Sequence, residues 1–190
     1  MKTVKIILLS LLTVVLLLVI TFVIYLVANI QKPAENIEAI FGNGANKVLI
    51  ATQGSDFKDL LLDELLDNLK EEDLYIKGID ISELDSIDSA DWDAVILIHT
   101  IEKSRVPKVI DRFLKSANND KLVVVMTSGS GNWKPKNDDN DVITSASKNE
   151  EITPIALDIT SRLRNIIEKT IVEEIEIPIV ESDSISNIPD

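Results

Sequence analysis

Hydrophobic positions recur in this chain with three different spacings, and each spacing predicts a different element. Ile6 to Ile30 is apolar without a charge. Val48, Leu49, Ile50 and Ala51 form a short apolar run without alternation, as expected of a strand covered on both faces. From Asp56 the spacing becomes helical: Phe57, Leu61, Leu65 and Leu69 fall four apart, with Asp59, Asp63, Asp67 and Lys70 mainly on the wet side. Thr52-Gln53-Gly54-Ser55 lies between the two, so the stretch from Lys47 to Lys70 reads as strand, tight turn, helix.

The same alternation of elements continues downstream. Leu74–Asp80 suits a second strand, and Ser82–Asp91 allows one or two helical turns at most. Trp92–Ile98 is a third, buried strand ending at His99; Pro107 then fits the first turn of a helix whose inward stripe is Val106, Val109, Ile110, Phe113 and Leu114. Lys121–Met126 is the fourth strand and Asp141–Ala146 the fifth. Thr153 is expected to cap a last helix with Pro154 at its first position and Ile155, Ile159, Leu163, Ile166 and Ile167 inward. The tail from Ile171 to Asp190 shows no clear period and allows either an edge strand near Ile175–Val180 or disorder.

Strands alternating with helices predict an α/β fold: a five-stranded parallel sheet of order 2-1-3-4-5 with helices on both faces. Its working edge is expected at the carboxyl ends of strands 1, 3 and 4. Ser128 to Asn140 contains Pro135 and is too short for a normal helix, so a loop is expected to cross between strands 4 and 5. The domain plan is then residues 1–30 as a transmembrane signal-anchor helix, 31–46 as a tether with Pro33 and the Gly42-Asn43-Gly44 turn, 47–170 as the folded domain, and 171–190 as the acidic tail.

At about 1.5 Å per residue the uncharged run is long enough to cross roughly 30 Å of hydrocarbon, which predicts a lipid bilayer as the partner of residues 6–30. A cleaved signal peptide would carry a shorter apolar run and a small-residue cleavage site, and Leu26-Val27-Ala28 matches that poorly. Lys2 and Lys5 precede the span and Lys32 follows it, a bias that puts the amino terminus in the cytoplasm and the folded domain outside.

Composition narrows the chemistry further. There is no cysteine and one histidine, which excludes thiolate chemistry and argues against a zinc site or a histidine-based triad. All 32 acidic residues lie beyond position 34, against sixteen Lys and Arg there, so this part carries −16. Such a surface repels nucleic acid. The carboxylates are spread along wet helix faces, which suits solubility better than paired acid–base work.

Thr52-Gln53-Gly54-Ser55 is the leading candidate for a ligand loop. Hydroxyls, a glycine and a helix amino terminus suit a phosphate or another oxyanion. The same residues also suit a plain turn in which Ser55 caps the helix. A phospho-acceptor receiver domain shares this topology but needs acids after strand 1 and an Asp ending strand 3, where Thr52-Gln53 and His99 stand.

From Lys47 to Lys169 the chain resembles the flavodoxin-like family. The loop after strand 1 is similar to the family's T-x-T-G-x-T phosphate loop, here Thr52, Gln53, Gly54 and Ser55, with Lys58 as a further candidate. The loop from His99 to Pro107 with Phe113-Leu114, the loop from Thr127 to Trp133, and Val142-Ile143-Thr144-Ser145-Ala146-Ser147-Lys148 carry the rest of the likeness. The resemblance implies flavin mononucleotide (FMN) as cofactor, its ring bordered by His99, Thr100, Ser128, Gly129 and Trp133, and electron transfer to a protein partner. This chain departs from the pattern in having fewer loop hydroxyls, Asp56 beside the phosphate position, no usual flanking aromatic and no helix after strand 4.

Two readings follow. One is a membrane-anchored FMN module; the other is a cofactor-free interaction or scaffold domain on the same framework. For His99 the alternatives are a flavin-rim contact, an acid or base, or a histidine satisfied by local backbone. For Trp133 they are a lid over a planar ligand or packing over the missing helix. An enzyme acting on a phosphorylated metabolite is a third option, with no evident nucleophile–base pair.

Overall fold

A computed structural model describes residues 2–28, 32–102, 104–134 and 142–175, in two compact units, residues 1–33 and 34–190. The first unit is a single helix, α1, Lys2–Ala28. Its segment Val4–Tyr25 carries Lys5 near its start and is otherwise uncharged and exposed all round, and at 22 residues it extends about 33 Å. It is a candidate single membrane span by length and composition. Within it the Thr13 and Thr21 hydroxyls donate to the carbonyls four residues earlier, so neither is left unpaired in an apolar setting.

The second unit is an α/β domain built on a six-stranded, mostly parallel sheet. Its elements are β1 Ile37–Phe41, β2 Asn46–Thr52, α2 Asp56–Asn68, β3 Leu74–Asp80, β4 Ala94–Thr100, α3 Lys108–Ser116, β5 Leu122–Thr127, β6 Ile143–Ser145 and α4 Ile152–Ile175. The sheet order is β1-β3-β2-β4-β5-β6. Strands β2 to β6 pair in parallel, and β1 pairs antiparallel with β3, Ile37 opposite Gly78 and Phe41 opposite Leu74.

Successive strand residues feed two separate cores. Val48, Ile50, Ile96 and Val125 pack under Leu61 and Leu65 of α2 and Ile159 and Leu163 of α4. Leu49, Ala51, Val95 and Leu97 pack under Ile110 and Phe113 of α3 and Leu84 of a 3-10 helix, Ile81–Ser86. Both faces are covered, which is why the central strands read as unbroken apolar runs. Trp92 stacks on Tyr75, ring centroids 6.3 Å apart, and serves packing before β4 begins.

The structure corrects several expectations. The sheet has six strands, because Ile37-Glu38-Ala39-Ile40-Phe41, read as tether, is an edge strand. It alternates with Ile37, Ala39 and Phe41 half-buried and Glu38 and Ile40 exposed, a period-two signal obscured by its closeness to Pro33 and the glycine turn. Gly78 permits the pairing, since a Cβ there would collide with the Ile37 side chain.

The remaining corrections concern element ends. β4 runs through His99 to Thr100. β6 is only Ile143–Ser145, shorter than Asp141–Ala146. Thr153 lies inside α4, whose start is set by a preceding 3-10 turn at Asn149–Glu151. α4 continues to Ile175, into the stretch read as tail. Of the link between β5 and β6, residues 135–141 lie outside the described residues, and 128–134 contain no helix. The possible edge strand at Ile175–Val180 also falls almost wholly outside them.

Candidate functional site

The carboxyl ends of β2, β4, β5 and β6 come together at one edge, bringing Thr52, Gln53, His99, Thr100, Thr127, Ser128 and Ser145 into one neighbourhood. Thr52 and Gln53 are buried at 2% and 6% exposure, and Gly54 is buried beside them. The Gln53 carboxamide links the end of β2 to the end of β4. Its Oε1 accepts the Thr100 amide at 2.7 Å, and its Nε2 donates to Glu102 Oε1 at 3.3 Å. Ser55 caps α2, its Oγ accepting the Lys58 amide at 3.3 Å, while Asp59 N–H takes the Ser55 carbonyl at 2.8 Å. The Thr52 hydroxyl donates to the Gln53 carbonyl at 3.3 Å.

A second chain of bonds lies beneath. Lys58 is only 2% exposed, and its Nζ donates to Thr100 Oγ1 at 2.7 Å. Thr100 Oγ1 and Thr127 Oγ1 are 3.0 Å apart, and Thr127 Oγ1 lies 3.4 Å from the His99 carbonyl. Donation from Lys58 to Thr100, on to Thr127 and on to His99 O satisfies each hydroxyl in turn. Burial pushes the Lys58 ammonium down to about 8, against the opposing charges of Asp59, Asp80 and Glu102. Burial alone would raise the Asp80 carboxyl. Hydrogen bonds from Ser82 and from the Ala34 amide, with the Lys58 charge, outweigh it and hold Asp80 below the ordinary carboxylate range.

His99 is fully buried and points to the α3 face, since it shares the alternation of Val95 and Leu97. Neither ring nitrogen makes a well-formed hydrogen bond among the described residues. Burial pushes the imidazole down to about 4; the Thr100 backbone opposes this and the Lys58 charge reinforces it. Its ring lies in the core, where burial disfavours the charged form.

The loops after β5 and β6 are tied to one another. Ser128 N–H bonds to Ser145 O at 3.0 Å, and Gly131, at φ +71°, lies against the Ala146 backbone. Glu151 accepts from the Ser145 hydroxyl at 2.5 Å and the Ala146 amide at 2.9 Å, which lowers its carboxyl. Gly129 faces open space. Trp133 is half-buried and packs against the apolar cluster on the α3 side, covering that core.

The structure therefore gathers Thr52, Gln53, Gly54, Ser55, Thr100 and Ser128 at one edge, sends His99 into the core and lays Trp133 on the body. Lys58, Asp80, Glu102 and Thr127 complete the polar belt. Lys58 was legible as an inward residue, three before Leu61 and seven before Leu65 on the same helical face. The pairing of Thr100 with Thr127 depends on sheet register and had no local signal. Among the described residues no group of three or more His, Asp or Glu is placed to hold a metal ion.

No family model matches the chain, and no curated protein matches it. Among solved structures it is similar to a flavodoxin of Streptococcus pneumoniae TIGR4, at 15% identity and a TM-score of 0.35, over 67% of this chain and 98% of that one.

Proposed function

We propose that this protein is a membrane-tethered, flavodoxin-like interaction domain that works without a bound cofactor. The observation that carries this reading is the Gln53 carboxamide, whose oxygen already takes the Thr100 amide at the mouth of the first parallel β–α unit. A phosphate bound at the Thr52–Ser55 turn would lie close to the Asp56 carboxylate, which opposes it. The succession β3-β2-β4-β5-β6 with helices on both faces supports the flavodoxin-like framework. The apolar α1 supports a single-pass anchor, and Lys2 and Lys5 at its amino-terminal end, against Lys32 beyond the span, support an external domain with a cytoplasmic amino terminus. The −16 beyond position 34 favours a partner with a positively charged surface.

Full-length protein in detergent, titrated with FMN and followed by flavin fluorescence and visible absorbance, tests the reading. The expected result is no quenching and no flavin band; stoichiometric binding overturns it. A second reading, FMN binding with electron transfer to a protein partner, draws support from the convergence of the loops after β2, β4 and β5 at one edge. It predicts tight flavin binding in the same titration.

A further inference from the structure

The chain enters the folded domain at one particular edge of the sheet. β1 runs antiparallel to β3 with Ile37 opposite Gly78, so its first residue lies at the carboxyl end of β3. There Asp80 is level with Thr52 of β2, and its Oδ2 accepts the Ala34 amide at 2.8 Å. The other carboxylate oxygen takes Ser82, and the charge acts on Lys58, whose ammonium donates to Thr100. Ala34 is thereby pinned to the edge that gathers Gln53, Thr100, Thr127 and Ser128. Strands β2, β3 and β4 are each seven residues long, so the opposite edge, with Glu71 beyond the end of α2, lies roughly 23 Å away.

Little sequence separates Ala34 from the uncharged run. Only Gln31-Lys32-Pro33 stands between it and Ile30. An extended chain covers at most about 3.6 Å per residue, which allows roughly 14 Å from Ile30 to Ala34. Measured from Tyr25, where the candidate span ends, the limit is roughly 32 Å. The edge itself offers lipid little. Its exposed charges are mixed, with Asp56, Glu102 and Glu150 against Arg105, Lys134 and Lys148 among the described residues. None of the large apolar side chains exposed in the domain belongs to the described loops after β2, β4, β5 or β6. Resting on the membrane-tethered reading, we propose that the short leash presents this edge toward the bilayer, so that the protein partner reaching Thr100 and Ser128 is one embedded in the same membrane.

The chain has no cysteine, so single labels can be placed at will. Gly129→Cys and Glu71→Cys put a donor dye at an exposed position on each edge, and Ser130→Cys gives a second label on the first. Each full-length protein is reconstituted in phosphatidylcholine nanodiscs with an acceptor dye on the lipid headgroups. With the edges roughly 20 Å apart, energy transfer from positions 129 and 130 should be at least about twofold that from position 71. Equal transfer, or more from position 71, overturns the proposal. Absence of transfer from every label overturns the anchored reading with it. Flavin binding in the FMN titration would overturn the cofactor-free reading and leave this orientation standing. A flexible insert of about twenty Gly and Ser residues between Lys32 and Pro33 lengthens the leash, and transfer from position 129 should then fall to the level of position 71. Transfer from position 129 that survives the insert overturns the proposal, because the edge would then hold lipid by itself.

Discussion

Gln53 Oε1 accepts the Thr100 amide hydrogen at 2.7 Å, so the side chain that ends one strand's turn satisfies the backbone at the end of its parallel neighbour. The bond holds the β2–α2 turn against β4, and the other end of the same carboxamide reaches Glu102. Glu102 in turn exchanges two 2.9 Å backbone bonds with Arg105 across Ser104, which adopts φ +61°.

Removing that carboxamide leaves the part-buried Thr100 amide unpaired. Gln53→Ala is expected to lower stability by roughly 1–3 kcal/mol in urea unfolding. Gln53→Glu keeps the oxygen that faces Thr100 but sets a carboxylate against Glu102. Its deficit should be large at neutral pH and shrink on acidification, as one of the two carboxyls takes up a proton. A Gln53→Glu protein whose stability tracks the parent from pH 7 to pH 4 would show that the two side chains do not meet.

Lys58 supplies a pH dependence at the alkaline end. Its folded-state value of about 8 lies below the ordinary 10.5, so between those limits the unfolded chain holds more protons than the folded one. Stability therefore rises with pH across this window, by roughly 3 kcal/mol at most. Lys58→Met keeps the stem and removes the buried charge. At pH 7 it should be at least as stable as the parent, and the difference should narrow as pH climbs past about 8. A parent-minus-variant difference that stays flat from pH 7 to pH 10 contradicts the burial of a charged ammonium.

His99 acts at the acid end, with the same direction of linkage. Its folded-state value of about 4 lies below 6.5, so stability is complete above about 6.5 and declines as pH falls toward 4. As the chain's single histidine, it gives an isolated imidazole signal in NMR. That signal should remain that of neutral imidazole at pH 5.5. His99→Leu should remove the difference in acid sensitivity between pH 6.5 and pH 4. A midpoint near 6.5 for this ring would mean that it reaches solvent.

Two glycines in one loop should behave oppositely. A Cβ at Gly131 would sit 2.7 Å from the Ala146 nitrogen, on a residue already at φ +71°. Gly131→Ala should cost about 1–3 kcal/mol and loosen β6 against β5. Gly129 has nothing within 4 Å of the added carbon, and Gly129→Ala should change the melting temperature little. Equal effects at the two positions would mean that the β5 and β6 loops do not touch as described.

By itself the sequence determined the apolar span, the succession of strands and helices, and the two covered faces, because each is written in local periodicity. Val48 to Ala51 needs no partner to announce a doubly buried strand, and Phe57, Leu61 and Leu65 declare their helix face by spacing alone. Only the tertiary structure decided that Ile37–Phe41 adds an antiparallel edge, since its short alternation acquires meaning through pairing with Leu74–Gly78. The condition of the candidate site was likewise a matter of register. Gln53 and Thr100 stand 47 positions apart, and Thr100 and Thr127 stand 27 apart. Whether such side chains bind something else or satisfy one another depends on which strand ends are brought level, and hydrogen-bond partners at that separation leave no trace in local composition.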